Sequence, residues 1–386
     1  MSRKLPILTT LVFMGLQLAG CDTPSTQSMG NILGSPNTTA GNRFLAVTPN
    51  ASLRFPQDHL AHNGFRQEWW YFTANLKTKN GEPLGLQWTQ FRVALASEFQ
   101  VSQKNSLDAT SSEDAQSDWA TQQLYFAHSA LTSQEQHLAH EKWSRAHPKL
   151  ANVNPSPYQI YLDDWRWQSE SDDLFPATLK VRNSDFSFNL QLSSQAPLQL
   201  QGDNGFSIKS LDGEVASYYY SQPFIEVSGQ IERNGHLEDV TGFGWLDREW
   251  SSQFLTKAQQ GWDWFALRLD DDSTLMVFQL RNTSAAQSPQ KGFYSARRMF
   301  KDGTGRNITS RDNPKAIEMK ALKFHDTQTA RYPVEWQISI PSEQIDLKVA
   351  PLNPNSSMAL STSYWEGPVS LNGSHSGVGY MELTGY

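Results

Sequence analysis

A single cysteine, Cys21, stands among the 386 residues, so no disulfide can form within the chain and the thiol needs another purpose. Positive charge is scarce too: 32 lysines and arginines against 39 aspartates and glutamates leave a net charge of −7, with no basic stripe. Phosphate recognition needs clustered Lys and Arg, which argues against a nucleic-acid partner. Beyond the N-terminus no apolar run is long enough to cross a bilayer. There is no Gly-x-Ser-x-Gly elbow, and no histidine has an evident nucleophile beside it, so serine-hydrolase chemistry has little support. Metal patterns are equally thin. His137, His140 and Glu141 would share one face if residues 133–145 were helical, and Asp270-Asp271-Asp272 is carboxylate-rich. A solvated helix and a hairpin turn account for both, so no metal or other cofactor is expected.

The N-terminus reads as an export signal. Arg3 and Lys4 give a positive start, Leu5 to Leu18 a mostly apolar stretch, and Leu18-Ala19-Gly20-Cys21 follows at once. The last four residues resemble a bacterial lipobox, which implies a signal peptide over 1–20 and an acylated (palmitate-bearing) Cys21 as the first mature residue. Residues 22–42 are rich in Ser, Thr, Gly, Pro and Asn, the composition of a flexible tether with a reach of roughly 25 Å. The folded part is thus expected from about residue 44, held near the bilayer, facing the periplasm of a Gram-negative-like envelope. By resemblance to enterobacterial lipoproteins, Asp22 favours the inner membrane.

What the chain has in quantity is aromatic residues: 13 Trp, 12 Tyr and 20 Phe. Two stretches that carry them read alike. Trp69-Trp70-Tyr71-Phe72 lies over Trp262-Asp263-Trp264-Phe265, and Leu76 then falls on Leu269. A polar turn follows each, then a second alternating run that closes on Arg92 or on Arg281. Alternation of bulky residues at period two is the mark of a strand with one face on a core, and two such hairpins suggest two similar β domains. Elsewhere short strand-like runs are broken by Gly, Asn, Asp and Pro at sandwich or barrel spacing. Residues 97–122 read as a polar, acidic surface insertion and 133–145 as a segment of modest helical character. The domain boundary is placed near Gln222-Pro223, giving β domains over 44–222 and 223–386.

Charges concentrate in Trp245-Leu246-Asp247-Arg248-Glu249-Trp250. On a strand Asp247 and Glu249 share one face, with Leu246, Arg248 and Trp250 on the other. Lining a cavity, such a carboxyl would be driven toward its acid form unless Arg248 or another cation compensates. The alternative is an ionic strut that ties the two domains together. Glu68, beside Trp69, is a second candidate acid, with Arg92 expected across the same hairpin. His128 is either a proton carrier or a satisfied core histidine. Tyr364-Trp365-Glu366 adds another acid beside an aromatic pair.

The order of these motifs resembles the AttH-type predicted secreted hydrolases, grouped with the CrtC-type carotenoid 1,2-hydratases, over nearly all of the mature chain. The carriers are Glu68-Trp69-Trp70-Tyr71-Phe72-Thr73-Ala74-Asn75-Leu76, Phe91-Arg92, Tyr125-Phe126-Ala127-His128, Asp163-Asp164-Trp165, the 245–250 cluster, Gly261-Trp262-Asp263-Trp264-Phe265, Tyr364-Trp365-Glu366-Gly367 and the closing residues 379–386. Ala74 and Ser251 stand where the family commonly has Gly, and Arg248 where hydratase-like members often have His. The resemblance implies an all-β fold of two lipocalin-like antiparallel barrel or sandwich domains in tandem, with minor helix.

Two functions follow as expectations. One is an enzyme of hydratase or hydrolase type acting on a lipid, isoprenoid or polyene-like molecule. Asp247, Glu249, Glu68 and His128 would be its acid–base groups, and Trp69, Tyr71, Arg92, Arg248, Trp250, Trp262, Trp264 and Trp365 the ligand-binding wall. The other is a lipid-anchored carrier or chaperone that holds an apolar molecule and performs no chemistry. They differ in whether Asp247 and Glu249 open into a pocket or face an arginine at the domain seam.

Overall fold

The computed structural model describes residues 27–28, 44–97, 121–283, 292–328 and 330–386. The signal segment, Cys21, most of the tether and residues 98–120 of the polar insertion lie outside them. Two single-turn 3-10 helices, Gln57–His59 and Pro341–Glu343, are the only helical elements among the described residues. Residues 133–145, expected to be helical, instead give the strand His137–Arg145, paired along its length with Gln123–Thr132. So short a helix is marginal in water, whereas the neighbouring strand pairs it along its whole length and bonds the backbone of alternate residues at this edge of the sheet. In the strand His140 points away from His137 and Glu141 and bonds Asp185 at 2.6 Å, which dismantles the imagined metal face.

The chain forms two curled antiparallel sheets in tandem, a 13-stranded near-barrel and an 11-stranded half-barrel. The echoed segments are one hairpin in each. The first ribbon, Gln67–Thr78 with Pro83–Ala94, lies in the first sheet, and the second ribbon, Gln259–Leu269 with Thr274–Asn282, in the second. Beside the first ribbon runs a long ribbon, Ala216–Arg233 with His236–Ser251. Beside the second runs a closing ribbon, Thr362–Gly373 with Gly377–Leu383.

The junction expected at Gln222-Pro223 is not there. The strand Ala216–Arg233 passes through it, the whole long ribbon belongs to the first sheet, and the chain changes sheets between Ser251 and Gln259. What interrupts the strand pattern is a bulge. Gln222 faces Leu246 while Ile225 faces Gly244, so Pro223 and Phe224 share the single opposite residue Trp245. Proline has no N–H for the ladder, and a bulge is where a sheet tolerates it. The extra residue reverses the alternation: Tyr218 and Tyr220 face the first core before it, Ile225 and Val227 after it.

Both faces of each echoed ribbon are buried, because each serves two cores. Trp70, Phe72, Ala74 and Leu76 fill the first sheet, and Phe265, Leu267 and Leu269 fill the second. The alternate residues Trp69 and Tyr71, with Trp262, Trp264 and Ala266, meet in a third cluster between the sheets. Tyr71 and Trp264, equivalent in the echo, touch edge-to-face at 5.1 Å. Such a pair adds about 0.5–1.5 kcal/mol beyond its burial. The sheets close on each other at Gly85, where a Cβ would lie 2.3 Å from the Pro368 ring of the closing ribbon. Asn75 also crosses the seam, donating to the Gly379 carbonyl at 2.9 Å.

Candidate active site at the seam between the sheets

Strand alternation sorts the charged motif as its sequence predicts. Trp245, Asp247 and Glu249 face the seam, whereas Leu246 and Trp250 enter the first core with Arg248 between them. The bulge sets the partner strand in the matching phase, so Ser221 stands opposite Asp247 and Tyr219 opposite Glu249. Asp247 accepts hydrogen bonds from the Tyr219 hydroxyl at 2.8 Å, from the Trp245 indole at 2.8 Å and from the Ser221 hydroxyl. Glu249 accepts from Ser217 and faces the Lys209 ammonium at 2.7 Å. That ammonium lies 4.6 to 5.2 Å from the ring centres of Tyr219, Phe254 and Phe278.

These groups line a cavity whose remaining wall is Trp69, Tyr71, Thr89, Phe91, Trp262, Trp264, Leu280, Tyr364, Glu366 and Glu382. With its mouth it measures about 580 Å³, yet the centres of water molecules can reach only about 50 Å³ of it. It is a slot between aromatic faces, suited to a flat or slender body and a few waters. Glu366 and Glu382 sit directly opposite each other on the closing ribbon. The hydroxyls of Tyr71 and Tyr364 lie beside Glu366 and act to lower its pKa, but neither Glu366 oxygen has a partner in hydrogen-bonding geometry among the described residues.

Burial governs the charges here. Desolvation pushes Asp247 up to about 7 against its three hydrogen bonds, with the Glu249 charge adding to the rise. Glu249 is raised by burial and drawn back by Lys209. Lys209 is lowered by burial, with Glu249 opposing the fall. Glu382 is pushed up to about 8 by burial, despite a hydrogen bond from Trp262, and the Asp247 and Glu249 charges add to the shift. Glu366 is raised well above the carboxylic range by burial and by Glu382 beside it. At neutral pH this cavity therefore holds carboxylic acids that can donate protons.

Six expected site residues meet at this cavity: Asp247, Glu249, Trp69, Tyr71, Trp262 and Trp264. His128 stands behind it, its Nδ1 2.8 Å from the Tyr364 hydroxyl. Burial lowers its pKa to about 4, so it is neutral at pH 7 and orients Tyr364 while remaining outside the cavity wall. The other five lie elsewhere. Glu68, Arg92 and Arg248 form a buried network at one end of the first core, because their positions alternate with the seam-facing ones. Glu68 takes Arg248 at 2.7 Å and Arg92 on its other oxygen, with the His62 amide at 2.8 Å. Burial acts to raise the Glu68 pKa, but Arg92 and Arg248 outweigh it and hold the carboxylate well below its usual range. Glu68 is thus an anion at neutral pH, the opposite of a proton donor. The Arg248 guanidinium lies 3.7 Å from the Trp70 ring centre, and Trp250 stacks on His62 at 3.9 Å. Trp365 is in the second core, its indole donating to Pro354. Neither Ala74, which faces the first core, nor Ser251, at a strand end, lines the cavity.

Sequence reasoning did not assign Lys209, Tyr219, Tyr364, Glu366 or Glu382 to the site. A signal existed for the two glutamates, each an acid within an aromatic or apolar strand at a chain segment already singled out. Lys209 sits in Ser207-Ile208-Lys209-Ser210, where nothing local marks it. Among the described residues no group of three metal-binding side chains is disposed to hold an ion.

The AttH-like family pattern matches residues 46–386. Among solved structures the chain is similar to a putative AttH from Nitrosomonas europaea, with 34% identity, a TM-score of 0.74, and coverage of 89% of this chain and 100% of that one. It shares its fold with kievitone hydratase from Nectria haematococca at 12% identity and a TM-score of 0.63, covering 89% of this chain and 95% of that one. It also shares it with CghA at 14% identity and a TM-score of 0.51, covering 89% and 97%. No curated protein matches the sequence. A family match across almost all of the folded residues, together with a 34% identical relative of the same architecture, makes the chain a member of the AttH-like family.

Proposed function

We propose that this protein is a cell-envelope hydratase that adds water to, or removes it from, an unsaturated apolar molecule of isoprenoid or polyene type in the seam cavity. The observation that carries the reading is Asp247, a fully buried acid pushed up to about 7 inside an aromatic slot. A carboxyl in that range is a competent general acid at neutral pH. Its proton passes to one alkene carbon, and the positive charge left on the adjacent carbon is stabilised by the indole faces of Trp69, Trp262 and Trp264. Water bonds to that carbon and returns a proton to the Asp247 carboxylate, so the net change is one H and one OH across the double bond. Glu249, paired with Lys209 at 2.7 Å, lies on the same strand face beside the developing cation. The fold shared with kievitone hydratase agrees with this reading. A carrier would need only the aromatic walls, and would leave Asp247 unexplained.

The test is incubation of the purified full-length chain with an envelope lipid extract and with defined prenylated or polyene alkenes in ¹⁸O-labelled water, followed by mass spectrometry. Products heavier by one labelled water, lost in Asp247→Asn while the alkene still binds, are the expected result. Binding without incorporation by either form would establish the carrier instead. The envelope address is proposed on the signal and lipobox alone, and Cys21→Ser should move the chain from the membrane to the soluble fraction.

A further inference from the structure

The seam cavity carries more acid than hydration chemistry uses. Four carboxyl groups line it, Asp247 and Glu249 from the long ribbon and Glu366 and Glu382 from the closing ribbon, against the single ammonium of Lys209. That ammonium is committed to Glu249 at 2.7 Å. Glu366 and Glu382 face each other across the closing ribbon, and among the described residues the charges that weigh on them are those of other carboxylates. Glu366 is 1% exposed and lines the cavity; the Tyr71 and Tyr364 hydroxyls lie beside it, but neither oxygen meets a partner in full hydrogen-bonding geometry among the described residues. The buried Tyr380 hydroxyl, on the same strand face as Glu382, is likewise out of full hydrogen-bonding geometry, with the Thr132 side chain beside it. Buried polar atoms left open in this way are uncommon, and they point to a partner that arrives from outside.

The walls select the kind of partner. Among the described residues no three of these carboxyl groups are disposed to hold one metal ion together, and the rest of the wall is largely aromatic. An ammonium carbon-substituted on all sides is poorly hydrated, needs few oxygens and is attracted by ring faces. We infer that the seam cavity is a cage for an organic cation, an ammonium nitrogen bearing apolar groups, seated against Glu366 and Glu382 and walled by the rings of Tyr71, Trp262, Trp264 and Tyr364. Like the proposed function, this rests on the seam cavity being the ligand site; it does not depend on turnover.

Proton linkage gives the cage a signature. Facing the Glu366–Glu382 pair are Tyr71 from the first ribbon, Trp262 from the second, Tyr364 and Tyr380 from the closing ribbon, and Asp247, Glu249 and Lys209 across the cavity. None of these is a free cation, so the empty pair keeps its proton near neutral pH. A bound ammonium favours the ionised form, and a proton leaves as it enters.

The experiment is a tryptophan-fluorescence titration of the full-length chain at pH 8 with phenyltrimethylammonium and with its uncharged carbon isostere, tert-butylbenzene. The ammonium is expected to bind on the order of tenfold more tightly. Calorimetry in buffers of different ionisation enthalpy should then report proton release, and the preference should shrink at pH 5.5. Glu366→Gln and Glu382→Gln should each remove the preference while keeping tert-butylbenzene binding. Equal affinities for the two probes in the unmodified protein, or ammonium binding without proton release, overturns the cage. If one glutamine variant does not fold, the other and the unmodified-protein comparison still decide. Labelled-water uptake by a neutral alkene without ammonium preference sinks the cage and leaves the hydratase, whereas preference without uptake does the reverse.

Discussion

The first sheet keeps one buried acid, Glu68, on its inner face, while its outer face and the closing ribbon of the second sheet bring four more together at the seam, and the two sets are handled in opposite ways. Inside the first sheet, Glu68 is met by Arg92, Arg248 and His62, and it stays ionised. Across the strand, Asp247, Glu249, Glu366 and Glu382 have only Lys209 among them, and burial raises each of them. Cations outnumber the acid in the first group and are outnumbered in the second. The first is a closed network that holds the loop before the first ribbon, since Arg92 and Arg248 also bind the His62, Phe65 and Leu60 carbonyls. The second is left unbalanced next to empty space, the arrangement in which a shifted carboxyl marks function more than structure.

Breaking the first group should cost the fold. Arg248→Ala takes one of the two guanidinium partners from the buried Glu68 and a donor from the Leu60 carbonyl, and is expected to destabilise by about 3–5 kcal/mol in chemical denaturation. Breaking the second should cost activity: Asp247→Asn is expected to slow turnover by roughly 10²–10⁴-fold while the denaturation midpoint moves far less than in Arg248→Ala. An Asp247 variant that unfolds as readily as the arginine variant would erase the distinction. The rate itself should be high below pH 7 and fall as pH rises through about 7, since Asp247 acts in its acid form.

The groups should also titrate in opposite senses. Seam acids with raised folded-state pKa values stabilise below about pH 4 to 5 relative to higher pH, and that contribution is lost as pH climbs toward 7 for Asp247 and 8 for Glu382. Glu68, with a depressed pKa, stabilises above its unfolded value and loses this as the solution is acidified. Buried His59, His128 and His137, each lowered to about 4 by burial, oppose the seam acids between about pH 4 and 6.5. The informative quantity is therefore the difference from a variant. Glu382→Gln should gain about 2–3 kcal/mol over the parent between pH 5 and 8.5, while Glu68→Gln should gain on the parent only in acid. Smallest is a test of the seam itself: Gly85→Ala, pressed on Pro368, should cost about 1–3 kcal/mol and loosen the cavity wall without touching either acid group.

The echo of Trp69 and Trp262 was legible because hairpin strands repeat at period two, and the same rule correctly put Asp247 and Glu249 on one face. It did not tell which face of an aromatic strand meets the other sheet, since both faces are apolar here. Trp250 and Trp365 were therefore assigned to a wall and lie in cores. The boundary at Gln222-Pro223 failed because a proline and a lost alternation read like a turn, when they mark one extra residue inside a strand. Residues 133–145 failed because His137, His140 and Glu141 match helical spacing by coincidence. Lys209 was out of reach of any local pattern, as only tertiary packing brings it to Glu249.

The bulge at Pro223 and Phe224 has a consequence for how this protein tolerates change. It works as a phase shifter: ironed flat with every residue kept, the strand would turn Ile225 and Val227 to the side of Ser217, Tyr219 and Ser221, toward the cavity. Deleting Phe224 alone would instead let Pro223 face Trp245 in a regular ladder and leave both halves on their present faces. A one-residue deletion should thus be absorbed at this point and be far more damaging a few residues to either side of it.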